Sequence, residues 1–208
     1  MNMFMKKFAY SILALLASAF CLEANAQDKN SKDLNMKENP KTLVVYFSRT
    51  GENYAVGNID KGNTEIIAEM IAEKTGGTLF QIVPEKAYPD NYKECIDLAK
   101  KELNSNARPA IKGDVNVDEY DTIFIGYPNW WGDIPMPLYT FIEKHDWQGK
   151  TVIPFCTHEG SGLGSTPKKL AASCKGATLL KGLAVRGATA QNSRDEARQA
   201  VNDWLKTL

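Results

Sequence analysis

The residue types best suited to chemistry fall in three short loops. Ser48-Arg49-Thr50-Gly51 follows an apolar run, and after the inserted stretch Glu52 to Gly62 the chain opens a helical pattern at Asn63-Thr64. Hydroxyls, small residues and a helix N-terminus suit a phosphate monoester, because backbone N–H groups point outward there and the helix dipole favours negative charge. Ser48, Thr50 and Thr64 would add hydroxyl donors. The same residue types also make a plain helix cap, so this loop by itself supports both readings. The sequence contains neither G-x-x-x-x-G-K-[ST] nor G-x-G-x-x-G, which excludes a nucleotide-hydrolysing phosphate loop and a dinucleotide fingerprint.

The second loop runs through Pro128-Asn129-Trp130-Trp131-Gly132 to Pro135. Two adjacent tryptophans cannot both point into the core of a loop, so a flat ligand stacked on one indole is one reading and a rigid loop covering neighbouring helices is the other. The third loop, Thr157-His158-Glu159-Gly160-Ser161-Gly162, has glycines that permit close backbone approach and side chains that can hydrogen-bond a ligand. His158 is a weak candidate for moving a proton and is equally a capping or surface histidine. Ser161 stands in Gly160-Ser161-Gly162 and not in G-x-S-x-G, so a hydrolase elbow is not supported.

Alternating strands and helices must position these loops. Leu43 to Phe47 and Asp121 to Tyr127 are apolar on both faces, as in strands covered from both sides, and Thr78 to Val83, Thr151 to Phe155 and Thr178 to Val185 complete five strands. Helical spacing is predicted over Asn63 to Lys74, Asn91 to Asn104, Met136 to Lys144, Gly164 to Ser173 and Ser193 to Lys206, with Ala107 to Asp118 irregular. Strict alternation predicts an α/β fold, a three-layer, doubly wound, five-stranded parallel sheet. Ligands of such sheets bind beyond the carboxyl ends of the strands, where all three loops lie.

Composition narrows the partners. Among 208 residues, 25 basic side chains balance 25 acidic ones, which removes the basic field that nucleic acid would select. Lys6-Lys7, the apolar stretch Phe8 to Leu22 and an A-x-A site ending at Ala26 have the layout of a secretory signal peptide, and the apolar stretch is too short to span a membrane. The chain is therefore expected to be exported, to the periplasm, with residues 1–26 removed; acylation at Cys21 is disfavoured by the bulky Phe20 before it. Residues 27–41 read as a flexible polar tether and 42–208 as the folded domain. Removing the leader leaves Cys95, Cys156 and Cys174, among which spacing does not decide a disulfide. No metal-ligand pattern is present.

The runs LVVYFSRTG and GNTE, GYPNWWGDIPMPLYTF and KTVIPFCTHEGSGLGS together resemble the flavodoxin-like family of FMN-binding proteins, over about Thr42 to Leu208. The resemblance implies strand order 2-1-3-4-5 with FMN at the switch between strands one and three, flavodoxin being a standing example of that rule. It implies that Ser48, Thr50, Gly51, Asn63 and Thr64 hold the FMN phosphate, with Arg49 adding charge. The isoalloxazine ring would lie against Pro128 to Gly132 and Thr157 to Gly162.

Two departures stand out. The insertion splits the phosphate motif and brings Glu52 and Asp60 near a dianion in sequence, with Lys61 as an offset; the stretch is expected to loop outward as a rim, where Tyr54 and Ile59 could shape a second surface. The chain is also neutral where simple electron-carrying flavodoxins are strongly acidic. These features fit electron transfer or FMN-dependent reduction of a small molecule, with the redox partner unnamed. The competing reading is a non-redox module of the same fold that binds another phosphorylated or anionic ligand.

Overall fold

In the computed structural model, residues 41–208 are described; the leader, Cys21 and nearly all of the tether lie outside them. Thr42–Tyr46 forms β1, with Leu43, Val44 and Val45 fully buried, and a strand so apolar on both sides is stable only in the middle of a covered sheet. The chain continues through a small hairpin, β2 (Gly51–Asn53) and β3 (Gly57–Ile59), to α1 (Asn63–Thr75). Gly76 ends α1 in the left-handed conformation at φ 70°, its N–H donating to Ala72 O at 2.8 Å. Then come β4 (Thr78–Gln81), β5 (Val83–Pro84), α2 (Tyr92–Asn104), β6 (Ile111–Lys112), β7 (Thr122–Pro128), α3 (Met136–Ile142), β8 (Thr151–His158) and α4 (Thr166–Ser173). The chain closes with β9 (Thr178–Leu179), β10 (Leu183–Arg186), α5 (Gly187–Asn192) and α6 (Arg194–Leu205).

The main sheet is parallel in the order β4-β1-β7-β8-β10, with β9 beside the start of β8. This is the expected 2-1-3-4-5 order, its fifth position filled by two pieces. Alternate residues of β1, with Phe47 just after it, serve opposite cores: Leu43, Val45 and Phe47 join Leu138, Phe141 and Leu170 of α3 and α4, while Val44 and Tyr46 join Ile67, Ile71, Val201 and Trp204 of α1 and α6. Gly126 of β7 packs directly against Phe155 in the second core. A Cβ there would lie 2.1 Å from the Phe155 ring, so the ring occupies the space a side chain would need.

The broken last strand is a departure with a local cause. Pro154 sits within β8 and has no N–H for the ladder. On the neighbouring strand, three residues (180–182) stand between Leu179 and Leu183, against two between their partners Val152 and Phe155, so the edge bulges by one residue. The bulge turns the Lys181 carbonyl toward Trp204, whose Nε1–H donates to it at 2.9 Å. Other departures are smaller. β8 runs on to His158, an extra helix, α5, precedes α6, and 107–118 holds β6, paired antiparallel with β5, and a 3-10 turn at Val117–Glu119. Among the described residues no helix is long and apolar enough to cross a membrane.

Replacing Gly126 by Ala forces the Phe155 ring out of its place, and overpacking of this kind costs roughly 1–3 kcal/mol. Urea denaturation of the variant should show that loss with an unchanged slope; a variant as stable as the parent would show that the ring moves freely.

Candidate functional site

The two halves of the split motif meet in space. The Ser48 hydroxyl accepts the Glu65 N–H at 3.1 Å, and a Cβ on Gly62 would lie 2.1 Å from Ser48 Oγ and 2.7 Å from Arg49 O. The chain thus leaves the loop at Gly51 and returns at Gly62 against the same loop, and only glycine permits that approach. The first bond of the α1 ladder is Ile66 N–H to Gly62 O at 3.2 Å, so the N–H groups of Asn63 and Thr64 precede it and are outward donors at a positive helix end. Thr64 is buried and its hydroxyl shares a 2.7 Å hydrogen bond with that of Thr157. This bond fixes the start of α1 to the end of β8.

Arg49 keeps its charge beside Ser48 and Thr50, the three bordering one hollow, while its side chain donates to backbone carbonyls. Its guanidinium donates to Glu52 O at 2.6 Å, Pro89 O at 2.7 Å and Asp90 O at 2.8 Å, because the carbonyls at the base of the hairpin and ahead of α2 lie within its reach and α1 offers none. Glu52 turns away from the loop. Its carboxylate accepts the Tyr92 N–H at 2.9 Å and Asn91 Nδ2–H at 3.1 Å, at the N-terminus of α2 where negative charge is favoured. Lys61 pairs with Glu69 at 2.6 Å.

The tryptophans divide as their adjacency demands. Trp130 turns inward, edge-on to Phe47 at 5.2 Å and Tyr88 at 5.0 Å. Trp131, at φ 56°, turns outward and stays 51% exposed, its Nε1–H donating to Ile96 O at 3.1 Å and Lys100 Nζ lying 4.7 Å over its ring. Asn129 ties this loop to the next one: its N–H donates to Thr157 O at 2.9 Å, its Nδ2–H to Gly162 O at 2.8 Å, and its Oδ1 accepts the Gly132 N–H at 3.1 Å. Below, the buried carboxylate of Asp133 accepts from Ile134 N–H, Tyr139 OH and Lys169.

These loops and α2 enclose a cleft of about 340 Å³. Of the expected site residues, Asn63, Pro128, Asn129, Trp130, Trp131, Thr157, His158, Glu159 and Ser161 line it. Ser48, Arg49 and Thr50 border a separate hollow of about 250 Å³ together with Tyr88. Gly51, Gly132, Gly160 and Gly162 have positive φ and shape the loops. The cleft also takes Asn53 and Tyr54 from the hairpin and Tyr92, Ile96 and Ala99 from α2, none of them among the expected binding residues. Tyr54 in the insertion was the available signal; nothing in the periodicity of α2 marks the residues it turns to the cleft.

His158 Nδ1 accepts the Gly160 N–H at 2.8 Å, which leaves its proton on Nε2. Burial holds the imidazole below its ordinary value, Arg186 pushes the same way, and Glu159 opposes both. Glu159 Oε1 accepts the Ala188 N–H at 2.7 Å. Cys95, Cys156 and Cys174 are free and buried, and burial pushes the last two thiols up to about 12. Among the described residues no cluster of three or more metal-ligating side chains forms.

Since the folded-state value of His158 is depressed, the unfolded chain binds its proton more tightly, and the stability this confers is present above pH 6.5 and lost as the pH falls through the lower native value. An NMR titration should find His158 with a midpoint below 6.5; a midpoint at or above it would show that the ring is not desolvated.

The sequence profile of the flavodoxin family matches residues 41–207. Among solved structures, the chain is similar to a candidate flavoprotein from Bacteroides uniformis ATCC 8492, at 34% identity over 81% of this chain and 99% of that one with a TM-score of 0.65. It is similar to a second from Bacteroides eggerthii DSM 20697, at 32% identity over 76% and 98%, TM-score 0.60. A flavoprotein from Lactobacillus acidophilus NCFM, solved in complex with FMN, shares the fold at 23% identity over 74% and 98%, TM-score 0.56. No curated protein matches the chain. With nearly the whole described domain covered by the family profile and the sheet in the order that the family shares, the chain belongs to the flavodoxin family.

Proposed function

We infer that this is an FMN-dependent redox protein that reduces a small molecule. The observation that carries the reading is the rejoined loop: Ser48, Gly62 and the start of α1 are brought together across an eleven-residue insertion, beside an aromatic cleft at the carboxyl ends of β1, β7 and β8. FMN is the cofactor that this family implies, and the residues present fit it. The outward N–H groups of Asn63 and Thr64 and the glycine cradle at Gly62 suit a phosphate, and the cleft offers the aromatic walls that a planar ring requires. The FMN complex of the Lactobacillus relative supports the same choice.

FMN, when bound, supplies one-electron and two-electron chemistry. The protein supplies position and electrostatics. Helix α1 and Ser48 would hold the phosphate, with the Arg49 charge beside the loop though its side chain is bonded to carbonyls, and with Lys61 paired to Glu69. Trp131 and Tyr92 would exclude water from the ring edge, and the loops that Asn129 locks together would keep the cleft from widening. His158, neutral at pH 7, would offer Nε2–H as a hydrogen-bond donor to a substrate oxygen and carry no positive charge. The near-zero net charge supports a small-molecule acceptor over docking to a basic redox protein. Export with removal of residues 1–26 belongs to the same proposal.

The test is a titration of apoprotein with FMN and with riboflavin, followed by tryptophan fluorescence. Thr64→Val should weaken FMN by about 1–3 kcal/mol, the range for hydrogen bonds to a charged group, and riboflavin much less. Equal losses would show that Thr64 acts only through Thr157 and the fold. A protein that takes up neither ligand would be left as a binding module of flavodoxin fold for some other anion.

A further inference from the structure

Helix α5, unmarked in the sequence pattern, meets the phosphate loop from a part of the chain far away in sequence. Gly187 opens it, and a Cβ there would lie 2.3 Å from Asn63 Nδ2 and 2.9 Å from Glu159 Oε1. The Asn63 carboxamide and the Glu159 carboxylate thus stand in the space that a side chain would fill. Glu159 Oε1 also accepts the Ala188 N–H at 2.7 Å, and Ala190 is fully buried in the core shared with α1 and α6, so the helix is fixed on both counts.

Gln191 is the residue of α5 that grips the loop. Its partly buried Nε2 donates to Lys61 O at 2.7 Å and to Asn63 Oδ1 at 2.8 Å, across 130 and 128 residues of chain. A carboxamide nitrogen carries two hydrogens, one for each of these acceptors. The two acceptors flank Gly62, the residue that packs against Ser48 and Arg49. Directly after it come the outward N–H groups of Asn63 and Thr64 and the first α1 ladder bond, Ile66 N–H to Gly62 O.

The insertion is what gives this grip its importance. If Gly51 ran straight into Asn63, the peptide chain itself would fix the start of α1 against the loop. Eleven residues separate them, Glu52 to Gly62, so the position of the returning arm is left to bonds made with distant segments. We propose that Gln191 is a positioning residue for the cofactor phosphate, holding the returning arm of the insertion so that the Asn63 and Thr64 N–H groups keep the direction a phosphate requires. This rests on the reading of the loop as the FMN phosphate site, and it adds the residue that rebuilds the site after the insertion has split it.

Two variants test it. Gln191→Met keeps the reach of the side chain and removes both donors, and Gln191→Glu keeps its shape and sets a carboxylate against two acceptors. Each is titrated as folded apoprotein with FMN and with riboflavin, and hydrogen exchange of single amides is followed by NMR. Gln191→Met should weaken FMN about three- to tenfold and riboflavin less than about twofold, a tenfold loss being about 1.4 kcal/mol. Gln191→Glu should weaken FMN at least as much. In both variants the Ile66 N–H should exchange faster, while the Gly76 N–H at the far end of α1, bonded to Ala72 O, exchanges as in the unaltered protein. An unchanged ratio of FMN to riboflavin affinity, or unchanged exchange at Ile66, overturns the proposal. Exchange that quickens equally at Gly76 shows a loss of the fold as a whole and overturns it too. If the unaltered protein takes up neither flavin, the parent reading fails. Inorganic phosphate, followed by its shift of the Asn63 and Thr64 N–H signals, then decides: loss of that shift in Gln191→Met supports the positioning role, and a shift that persists in the variant or is missing from the unaltered protein overturns it.

Discussion

The pairing of β1 with β7 is the constraint on which the rest of this molecule depends. Both strands are apolar on each face, so neither is stable at an edge, and the sheet forms with the two side by side at its centre. The chain must then leave β1 for β4 on one side and come back for β7 on the other. Connections that diverge in this way cannot cover the ends of the two central strands, and a crevice opens there. The start of α1 reaches it through the hairpin after β1, the Trp130–Trp131 loop follows β7, and the end of β8 lies beside the end of β7.

Topology alone leaves such a crevice soft, and a few buried polar bonds stiffen it. The Thr64–Thr157 hydroxyl pair joins residues 93 apart in sequence, and Asn129 bonds to both Thr157 and Gly162. The threonine pair is buried and does not compete with water, so breaking one partner leaves the other unsatisfied, while the Asn129 bonds lie partly buried at the cleft wall. The loops are therefore held by chemistry distinct from the apolar packing of the two cores, which lets the site vary while the sheet stays intact.

The insertion shows how charge is managed next to an anion site. Two carboxylates and one lysine enter the phosphate loop with it, yet Glu52 caps α2 and Lys61 pairs with Glu69. Helix α2 thereby acquires a carboxylate at its positive end, and the hairpin acquires an anchor. Arg49 completes that anchor while keeping its charge beside Ser48 and Thr50. The departure from the ordinary motif has turned a bypass into a rigid rim that carries Tyr54.

Much of this was present in the one-dimensional pattern. The doubly apolar runs at 43–47 and 121–127, the helical spacing between them and the glycine stop at Gly76 determine the layered parallel sheet, because two-sided burial and 3.6-residue spacing are local properties of a chain. Placement of the three loops at the carboxyl ends followed from that sheet. Which way a side chain turns did not, since direction depends on partners that are distant in sequence. Arg49 goes to carbonyls 40 and 41 residues away, and Trp130 and Trp131 part because Phe47 and Tyr88 await one and the Ile96 carbonyl the other. The bulge beside Pro154 needed knowledge of its neighbour across the sheet, and the entry of Tyr92 and Ile96 into the cleft needed the packing of α2. Sequence determined the elements and the edge at which the site forms; the tertiary structure decided its lining, because hydrogen-bond partners and facing surfaces exist only once distant segments have met.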